Sequence, residues 1–272
     1  MDRPVISLLT DFGWDGPAAI CRAVIVGIAP DAQVVDIGHD VRKYAIRDGA
    51  FLLWCAVPYL PPGSAHVAVV DPGVGTERRP IAIRTARGDH LVGPDNGLLT
   101  HVLAGASGEG TRLHAITNAG LFRYQVSSTF HGRDIFSPIG ARLALGTPIE
   151  DVGPALAADD LVDLRFPEPS VADGALETAV VFVDSFGNVR LGGRPADLEQ
   201  AIGSLEPGRP IELTIGANAV STTWQRTFGQ VAEGQSLLYE DSFGLVSFAD
   251  NQGNVAARLG IVADQPVRIR AA

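Results

Sequence analysis

Short apolar runs alternate with helix-like segments through the first half of the chain. The runs VISLLTD, QVVDIG and AHVAVVD end in polar turn residues, which is typical of strands buried in a parallel sheet. Between them, GPAAICRAVIVGIAP and IRDGAFLLWCAVPYLPPG have helical spacing and end at prolines. This alternation predicts βαβ units, and therefore an α/β domain with a mostly parallel sheet.

Further elements follow in the same half. PIAIRTA and HLVGPDNG predict a hairpin-like pair of strands, with Asn96-Gly97 as a strong turn signal, and RLHAIT predicts another strand. GLLTHVLAG and RDIFSPIGARLALG predict helices. Ligands bind beyond the carboxyl ends of the strands in such sheets. Asp11 and Asp71 each end a predicted strand, so both are candidates for a functional site.

The pattern changes near Ala172. Short runs rich in Val, Thr, Ile and Phe, separated by turn residues, predict a smaller all-β domain, an antiparallel barrel or sandwich. The segment FPEPSVADG, with two prolines, predicts the linker. The predicted organisation is therefore an N-terminal domain over 1–165, a linker over 166–174 and a C-terminal barrel-like domain over 175–272, with no internal repeat.

Composition and charge narrow the function. The chain has 272 residues, with 21 basic and 31 acidic side chains and a net charge of −10. This balance argues against a nucleic-acid partner and against binding to an anionic membrane, since both need a basic face. No signal peptide or membrane-spanning run is recognisable, so we expect a cytoplasmic protein. Cys21 and Cys55 lie in apolar helical stretches and are expected to be buried thiols.

The stretch VVDPGVGTERRP contains a carboxylate, Asp71, and the adjacent arginines Arg78 and Arg79. It does not match a phosphate loop, and Arg78 stands where a dinucleotide fingerprint needs its third glycine. A tight turn built on Gly73 and Gly75 is the simplest interpretation. A carboxylate at a strand end with an arginine seven residues later also suits a catalytic loop.

A second stretch, STFHGRDIFSP, places His131 and Asp134 at the start of a predicted helix. A single histidine there is more often structural than functional. A metal pair is the alternative, but it needs further ligands, for which Asp36 and His39 are the clustered candidates. The residues alone leave both interpretations open.

Six segments in order connect these motifs: LLTDFG, VDPGVGTERR, GPDNGLL, STFHGRDIF, VDSFGNVRL and DSFGLVSFADNQGN. Together they resemble the S-adenosyl-L-methionine hydroxide adenosyltransferases, water-using relatives of the fluorinase and chlorinase. The resemblance covers about Val5 to Gly260. It implies an α/β domain followed by a β-barrel, and a homotrimer with the substrate between neighbouring subunits. It also implies hydrolysis of S-adenosyl-L-methionine to adenosine and L-methionine without a metal or organic cofactor.

The resemblance also implies roles for particular residues. The water-activating group maps onto Asp71, Arg78 and His131. The halogenating relatives have a tyrosine at the position of Asp71, and the fluorinase has a serine at the position of Gly132, so this chain favours water over halide. We expect His131 to act as the base, with Asp71 and Arg78 orienting it and the water.

The remaining correspondences concern the substrate. Asp11 corresponds to the residue that holds the ribose diol, Asp184 to the partner of the methionine ammonium, and Ser242 to the partner of its carboxylate. The other contacts implied are Asn188 to adenine, Phe186 and Phe228 as stacking residues, and Phe130 beside the ribose. Structural roles compete with several of these, since Asp11 and Asn188 suit turns and the phenylalanines suit a core.

Two positions depart from the fluorinase. Phe243 stands where it has an arginine, which weakens the assignment of the carboxylate subsite, and Arg190 stands where it has a tryptophan. Three other functions remain open: a halide-using adenosyltransferase, a metal-dependent hydrolase using Asp36, His39, His131 and Asp134, and a non-catalytic S-adenosylmethionine- or adenosine-binding protein.

Overall fold

The computed structural model describes residues 3–164 and 166–272. The chain forms two units, Met1–Arg165 and Phe166–Ala272. Each has its own hydrophobic core, one around the N-terminal sheet and one inside the C-terminal barrel.

The N-terminal unit is built on a six-stranded sheet in the order β2-β1-β3-β5-β4-β6. The strands are β1 (Val5–Thr10), β2 (Gln33–Gly38), β3 (Ala65–Val69), β4 (Pro80–Arg84), β5 (His90–Pro94) and β6 (Arg112–Ala115). β1, β2, β3 and β5 pair in parallel, as the βαβ pattern predicts. β4 runs antiparallel to β5 and β6, so the predicted hairpin is confirmed and the sheet is mixed.

Four helices belong to this unit: α1 (Pro17–Ile28), α2 (Ile46–Ala56), α3 (Thr100–Ala106) and α4 (Ser137–Ala144). Proline sets two of their ends. Pro17 occupies the first turn of α1, where its missing N–H costs nothing. Pro58 follows α2, and the chain continues there as a short 3₁₀ turn, Val57–Tyr59.

The segment before α4 differs from the prediction of one continuous helix. Gly132–Phe136 forms a π-helical turn, and the Ser137 N–H bonds to the Gly132 carbonyl. Pro138 has no N–H to offer the Asp134 carbonyl, which accepts from the Arg123 N–H at 3.0 Å instead. The widened turn lies immediately after His131, and π-turns are frequent at functional sites.

The C-terminal unit is an antiparallel sheet of eight strands, with seven in the order β11-β10-β14-β8-β9-β13-β12 and β7 paired to β8. Its strands are β7 (Ser170–Ala172), β8 (Ala175–Val183), β9 (Val189–Leu191), β10 (Pro210–Ile215), β11 (Asn218–Thr223), β12 (Ser236–Glu240), β13 (Val246–Asp250) and β14 (Pro266–Ala271). The ends of β11 and β12 approach each other, and the Gln225 N–H donates to the Leu238 carbonyl at 2.8 Å. The sheet is therefore almost closed, which confirms the predicted barrel-like fold.

Three elements of this unit were not predicted. α5 (Pro195–Ile202) buries Leu198 and Ile202 against the barrel core, and α6 (Val255–Leu259) buries Val255. The short strand β7 lies inside the segment 166–174 that the prolines marked as a linker. Edge pairing with β8 stabilises this strand, and such pairing leaves little trace in a three-residue sequence.

The N-terminal core contains a buried histidine. His66 on β3 is fully buried, and its Nδ1 lies 2.8 Å from the Ser7 hydroxyl on β1. Its Nε2 is buried without a hydrogen-bond partner in the described part of the chain and is 4.0 Å from Asp89. Burial lowers the pKa of His66 to about 4, although Asp89 opposes that effect.

Cys21 and Cys55 are both buried thiols outside any disulfide, as predicted, and burial raises the pKa of the Cys21 thiol to about 11. None of the helices in residues 3–164 and 166–272 is long and apolar enough to cross a membrane.

The neutral His66 makes stability depend on pH. The unfolded chain takes up a proton below pH 6.5, whereas folded His66 does so only near pH 4, so acid favours unfolding within that window. We expect the His66 contribution to fall by about 2 kcal/mol between pH 7 and pH 5. In urea unfolding at the two pH values, His66→Gln should lose correspondingly less stability than the wild type, and parallel losses would contradict the assignment.

Candidate functional site

The loop after β3 presents a buried ion pair. The Arg78 guanidinium donates through Nε to Asp71 Oδ1 at 3.1 Å and through Nη2 to Asp71 Oδ2 at 2.5 Å. The two side chains are only 7% and 4% exposed. Arg78 also lies over the Phe136 ring, 5.3 Å from its centroid. A bidentate pair held among apolar atoms has a fixed geometry, unlike a solvated surface pair.

Gly75 allows this loop to lie against the second motif. Its φ is +78°, and a Cβ there would be 2.4 Å from the Ser128 carbonyl oxygen. A side chain would therefore clash with backbone that cannot move aside. The tight turn that the glycines predict is present at Gly75, and it brings the loop that carries Asp71 and Arg78 against the segment that leads to His131.

His131 completes the cluster. Arg78 Nη2 donates to His131 Nδ1 at 3.1 Å, which joins residues 53 positions apart. Because a guanidinium only donates, Nδ1 must accept, and the neutral imidazole carries its proton on Nε2. Burial and the neighbouring Arg78 lower the pKa of His131, against the opposing effect of Asp71 and Asp134. The ring is therefore neutral at neutral pH.

The cluster borders a cavity of about 320 Å³ in the N-terminal unit. Four predicted site residues line it: Asp11, Asp71, Phe130 and His131. Phe130 packs edge-on against Phe12, with ring centroids 5.7 Å apart. The strand ends, the π-turn and the loop therefore bring these residues to one place, as expected at the carboxyl edge of a parallel sheet.

Asp11 is anchored by two neighbours that the sequence analysis missed. The Tyr44 N–H donates to Asp11 Oδ2 at 2.9 Å, and Lys43 Nζ donates to the Asp11 main-chain oxygen. Tyr44 has a φ of +67°, a strained conformation for a residue other than glycine. No single-sequence signal identifies this backbone conformation in advance. The anchored Asp11 carboxylate faces the same cavity as Asp71.

Other charged residues of the two motifs have structural roles. Arg79 pairs with Asp95 at 2.6 Å, away from its neighbour Arg78. Asp134 is fully buried and bonds to Arg133, Arg123 and the Ser127 N–H. These contacts occupy the carboxylate that the sequence analysis considered as a metal ligand.

The other residues of the metal alternative form a separate polar cluster. His39 Nδ1 lies 2.9 Å from the Thr10 hydroxyl, and its Nε2 lies 3.3 Å from Asp36, which also pairs with Arg22. Within the described ranges, no group of three or more His, Cys, Asp or Glu side chains is arranged to hold a metal ion. The geometry therefore gives no support to a metal-dependent hydrolase.

A second cavity, of about 900 Å³, lies in the C-terminal unit. Five of the other six predicted site residues line it: Asp184, Phe186, Asn188, Phe228 and Ser242. The sixth, Arg78, lies behind Asp71 and His131 and lines neither cavity. The cavity is acidic, since Asp184, Glu240, Asp241 and Asp250 outnumber Arg190 and Arg226 in its lining. Phe186 is 75% exposed, which is unusual for a core residue and suits a side chain that contacts a ligand.

Two turns of the same sequence, Asp-Ser-Phe-Gly, lie at this cavity, a repeat that the sequence analysis overlooked. Asp184 begins the turn between β8 and β9, and Asp241 begins the turn between β12 and β13. In each, one aspartate oxygen accepts from the N–H groups two and four residues later, and the glycine has a positive φ. The aspartates therefore stabilise the turns as well as facing the cavity.

Comparison with known proteins is consistent with this geometry. Residues 6–153 match the N-terminal domain of the SAM hydroxide adenosyltransferases, and residues 178–268 match their C-terminal domain. An (R)-S-adenosyl-L-methionine hydrolase from Salinispora tropica is 44% identical over 98% of both chains. A fluorinase from Nocardia brasiliensis is 27% identical over 98% of this chain and 97% of its own.

Solved structures show the same fold. The crystal structure of an uncharacterized conserved protein from Thermotoga maritima superposes with a TM-score of 0.90 and 32% identity, over 97% of this chain and 99% of that one. The matched domain models together span most of the sequence, in the order of the two units described above. This chain therefore belongs to the SAM hydroxide adenosyltransferase family.

Proposed function

We propose that the protein hydrolyses S-adenosyl-L-methionine to adenosine and L-methionine, by attack of water on the ribose C5′ carbon. The observation that carries this proposal is the buried Asp71–Arg78–His131 cluster at the edge of the N-terminal cavity. Relatives named as (R)-S-adenosyl-L-methionine hydrolases support it. The sulfonium makes methionine a good leaving group, so the protein has to supply only a positioned nucleophile.

Arg78 stabilises the attacking water as it loses a proton. Its guanidinium is buried and held by Asp71, so it needs no reorganisation during the reaction. Its Nη1 is buried and has no hydrogen-bond partner among the described residues, and a bound water would satisfy this donor. Attack on a sulfonium also neutralises charge, which is favoured where water is largely excluded.

The hydrogen bonds favour Asp71 over His131 as the proton acceptor, in contrast to the expectation from sequence. The only lone pair of neutral His131 accepts from Arg78, which leaves Nε2–H as a donor that orients the water oxygen. Asp71 keeps further acceptor capacity on both oxygens. A carboxylate is a strong enough base for this step, because the attacking water becomes more acidic as its oxygen forms the bond to C5′. The proton then passes from Asp71 to solvent.

An N-terminal cavity and a C-terminal cavity bind different parts of the substrate. Asp11 accepts from the ribose hydroxyls and Phe130 lies beside the ribose, in the N-terminal cavity. Asp184 and Ser242 bind the ammonium and carboxylate of the methionine moiety, in the C-terminal cavity, where Asn188 binds adenine and Phe186 and Phe228 stack on it. An acidic cavity suits a substrate with a sulfonium and an ammonium group.

We extend the proposal to a homotrimer in which the N-terminal cavity of one subunit and the C-terminal cavity of the next hold one substrate molecule. Its support is the resemblance, together with the division of the predicted site residues between two units. A cofactor-free reaction and a cytoplasmic location remain predictions of the sequence analysis.

Water is preferred over halide because of Asp71. An ionised carboxylate only accepts hydrogen bonds, so it can bind a proton of the water but offers no donor to a halide ion. Gly132 is the second position at which the chain differs from the fluorinase. A Cβ there would lie 3.0 Å from the Phe12 ring, so a larger residue requires Phe12 to shift.

The products test the proposed reaction directly. Incubation with S-adenosyl-L-methionine in ¹⁸O-water should give L-methionine and adenosine with ¹⁸O at the 5′ position, by mass spectrometry. Added chloride should not change the products. A 5′-chloro product would place the protein with the halide-using enzymes, and unchanged substrate would contradict catalysis.

Adjacent arginines provide a matched pair of variants for the water-activating role. Arg78→Lys removes the fork that holds Asp71 and His131 together, and we expect kcat to fall about 100-fold. Arg79→Lys changes the contacts with Asp95 and with the Asp160 main-chain oxygen, which lie outside the cluster. Its kcat should stay within about threefold of the wild type. Equal effects of the two substitutions on kcat would argue against the role assigned to Arg78.

The pH profile tests the state of His131. Protonation at Nδ1 removes the bond from Arg78 and places two cations side by side, so kcat/KM should fall as the pH drops through the lowered pKa of His131, below 6.5. His131→Asn keeps an acceptor for Arg78 but does not titrate in this range. We expect this variant to be slower and to lack the His131-dependent acid limb; an unchanged acid limb would contradict the assignment.

A further inference from the structure

Arg190 connects the two Asp-Ser-Phe-Gly turns of the barrel. It lies on β9, opposite Ser247 of the paired strand β13, so it stands between the turn that precedes β9 and the turn that precedes β13. Its guanidinium lies 5.6 Å from the centroid of the Phe182 ring and 5.5 Å from that of Phe243. Contact with two aromatic rings restricts the guanidinium and helps to direct its donors.

Arg190 contacts the aspartates of the two turns at different distances. Arg190 Nε donates to Asp241 Oδ2 at 2.8 Å, whereas Nη1 is 3.4 Å from Asp184 Oδ2, a much weaker contact. The Ser247 hydroxyl also donates to Asp241 Oδ2, at 3.2 Å. Two turns with the same sequence and the same backbone hydrogen bonds therefore differ in how strongly their aspartates are neutralised.

The aspartate with the closer Arg190 contact is also the more deeply buried of the two. The Asp241 side chain is 4% exposed and that of Asp184 is 16% exposed. The two carboxylates and one guanidinium have a net charge of −1, and the close, buried pair accounts for Asp241. The remaining negative charge therefore lies on Asp184, which faces the cavity. Its Oδ2 accepts from the neutral Asn188 amide at 3.1 Å and lies 3.4 Å from Arg190.

We propose that Arg190 is a positioning residue that makes the first turn, and not the second, the acceptor for the ammonium group of the substrate. By neutralising Asp241 it leaves the second turn without a free negative charge, so Ser242 can lie beside a carboxylate group without repulsion. Arg190 thus assigns opposite ends of an α-amino acid zwitterion to two turns of identical sequence. This inference rests on the proposed function, whose failure the product analysis detects separately.

Two ligands that differ in the amino-acid moiety test the inference. S-adenosyl-L-homocysteine contains that moiety and adenosine lacks it, and their binding to the full-length protein is measured by calorimetry. In Arg190→Lys, an ammonium cannot reproduce both directed contacts. We expect the Kd of S-adenosyl-L-homocysteine to rise about tenfold, and the Kd of adenosine to stay within about twofold.

Asp241→Asn gives a second variant of nearly unchanged shape. The close pair disappears, so Arg190 is left with Asp184 as its carboxylate partner and the net charge of the trio changes from −1 to 0. The Kd of S-adenosyl-L-homocysteine should again rise about tenfold, with adenosine binding unchanged. Arg268→Lys serves as the control, because Arg268 pairs with Glu177 elsewhere in the same unit, at 2.7 Å.

The outcomes separate a positioning role from a purely structural one. Selective loss of S-adenosyl-L-homocysteine binding in both variants supports the inference. Equal weakening of both ligands shows that Arg190 only maintains the fold, and unchanged binding of both shows that it does not set the charge of Asp184. Either of these results overturns the inference. If the wild-type protein neither binds nor hydrolyses S-adenosyl-L-methionine, the proposed function itself is wrong.

Discussion

The buried guanidinium of Arg78 connects the parts of the N-terminal site. It binds Asp71 with two donors and His131 with one of the same donors, and so joins two loops that are far apart in the sequence. A charge this well buried requires its partners, since loss of one carboxylate leaves an uncompensated cation. The contact between the loops and the tautomer of His131 depend on this arrangement, and Arg78 adds to the effect of burial in lowering the pKa of the ring.

The C-terminal unit uses an arginine in a related way. Arg190 lies between two aspartates, as Arg78 lies between an aspartate and a histidine. In both places the guanidinium binds one acceptor more closely than the other, at 2.5 against 3.1 Å for Arg78 Nη2 and at 2.8 against 3.4 Å for Arg190, and the unequal bonds give the acceptors different surroundings. Chemically similar side chains thereby acquire different surroundings, and the roles proposed for Asp71 as a proton acceptor and Asp184 as a partner for a cation rest on that difference.

Much of the architecture was predictable because it follows from local patterns. The apolar runs and the prolines predicted β1, β2, α1 and α2 closely, and the turn-rich Val and Thr segments predicted the barrel. The helices α5 and α6 and the strand β7 were missed because short elements are stabilised by packing and pairing more than by their own sequence. The π-turn after His131 was missed for a similar reason, since it depends on Pro138 and on a carbonyl bond to Arg123.

The sequence by itself determined the two-domain order, the family and some of the residues that line each cavity, among them Asp11 and Asp71 in one and Asp184 and Ser242 in the other. The motifs can be recognised from their order and residue types alone, without atomic coordinates. Only the tertiary structure decided which atoms meet. In the folded protein Arg78 donates a hydrogen bond to Nδ1 of His131, and the Tyr44 N–H donates one to Asp11. Arg190 lies closer to Asp241 than to Asp184. Hydrogen bonds act over about 3 Å, so protonation states and charge distribution follow from atomic distances, which spacing along a chain does not specify.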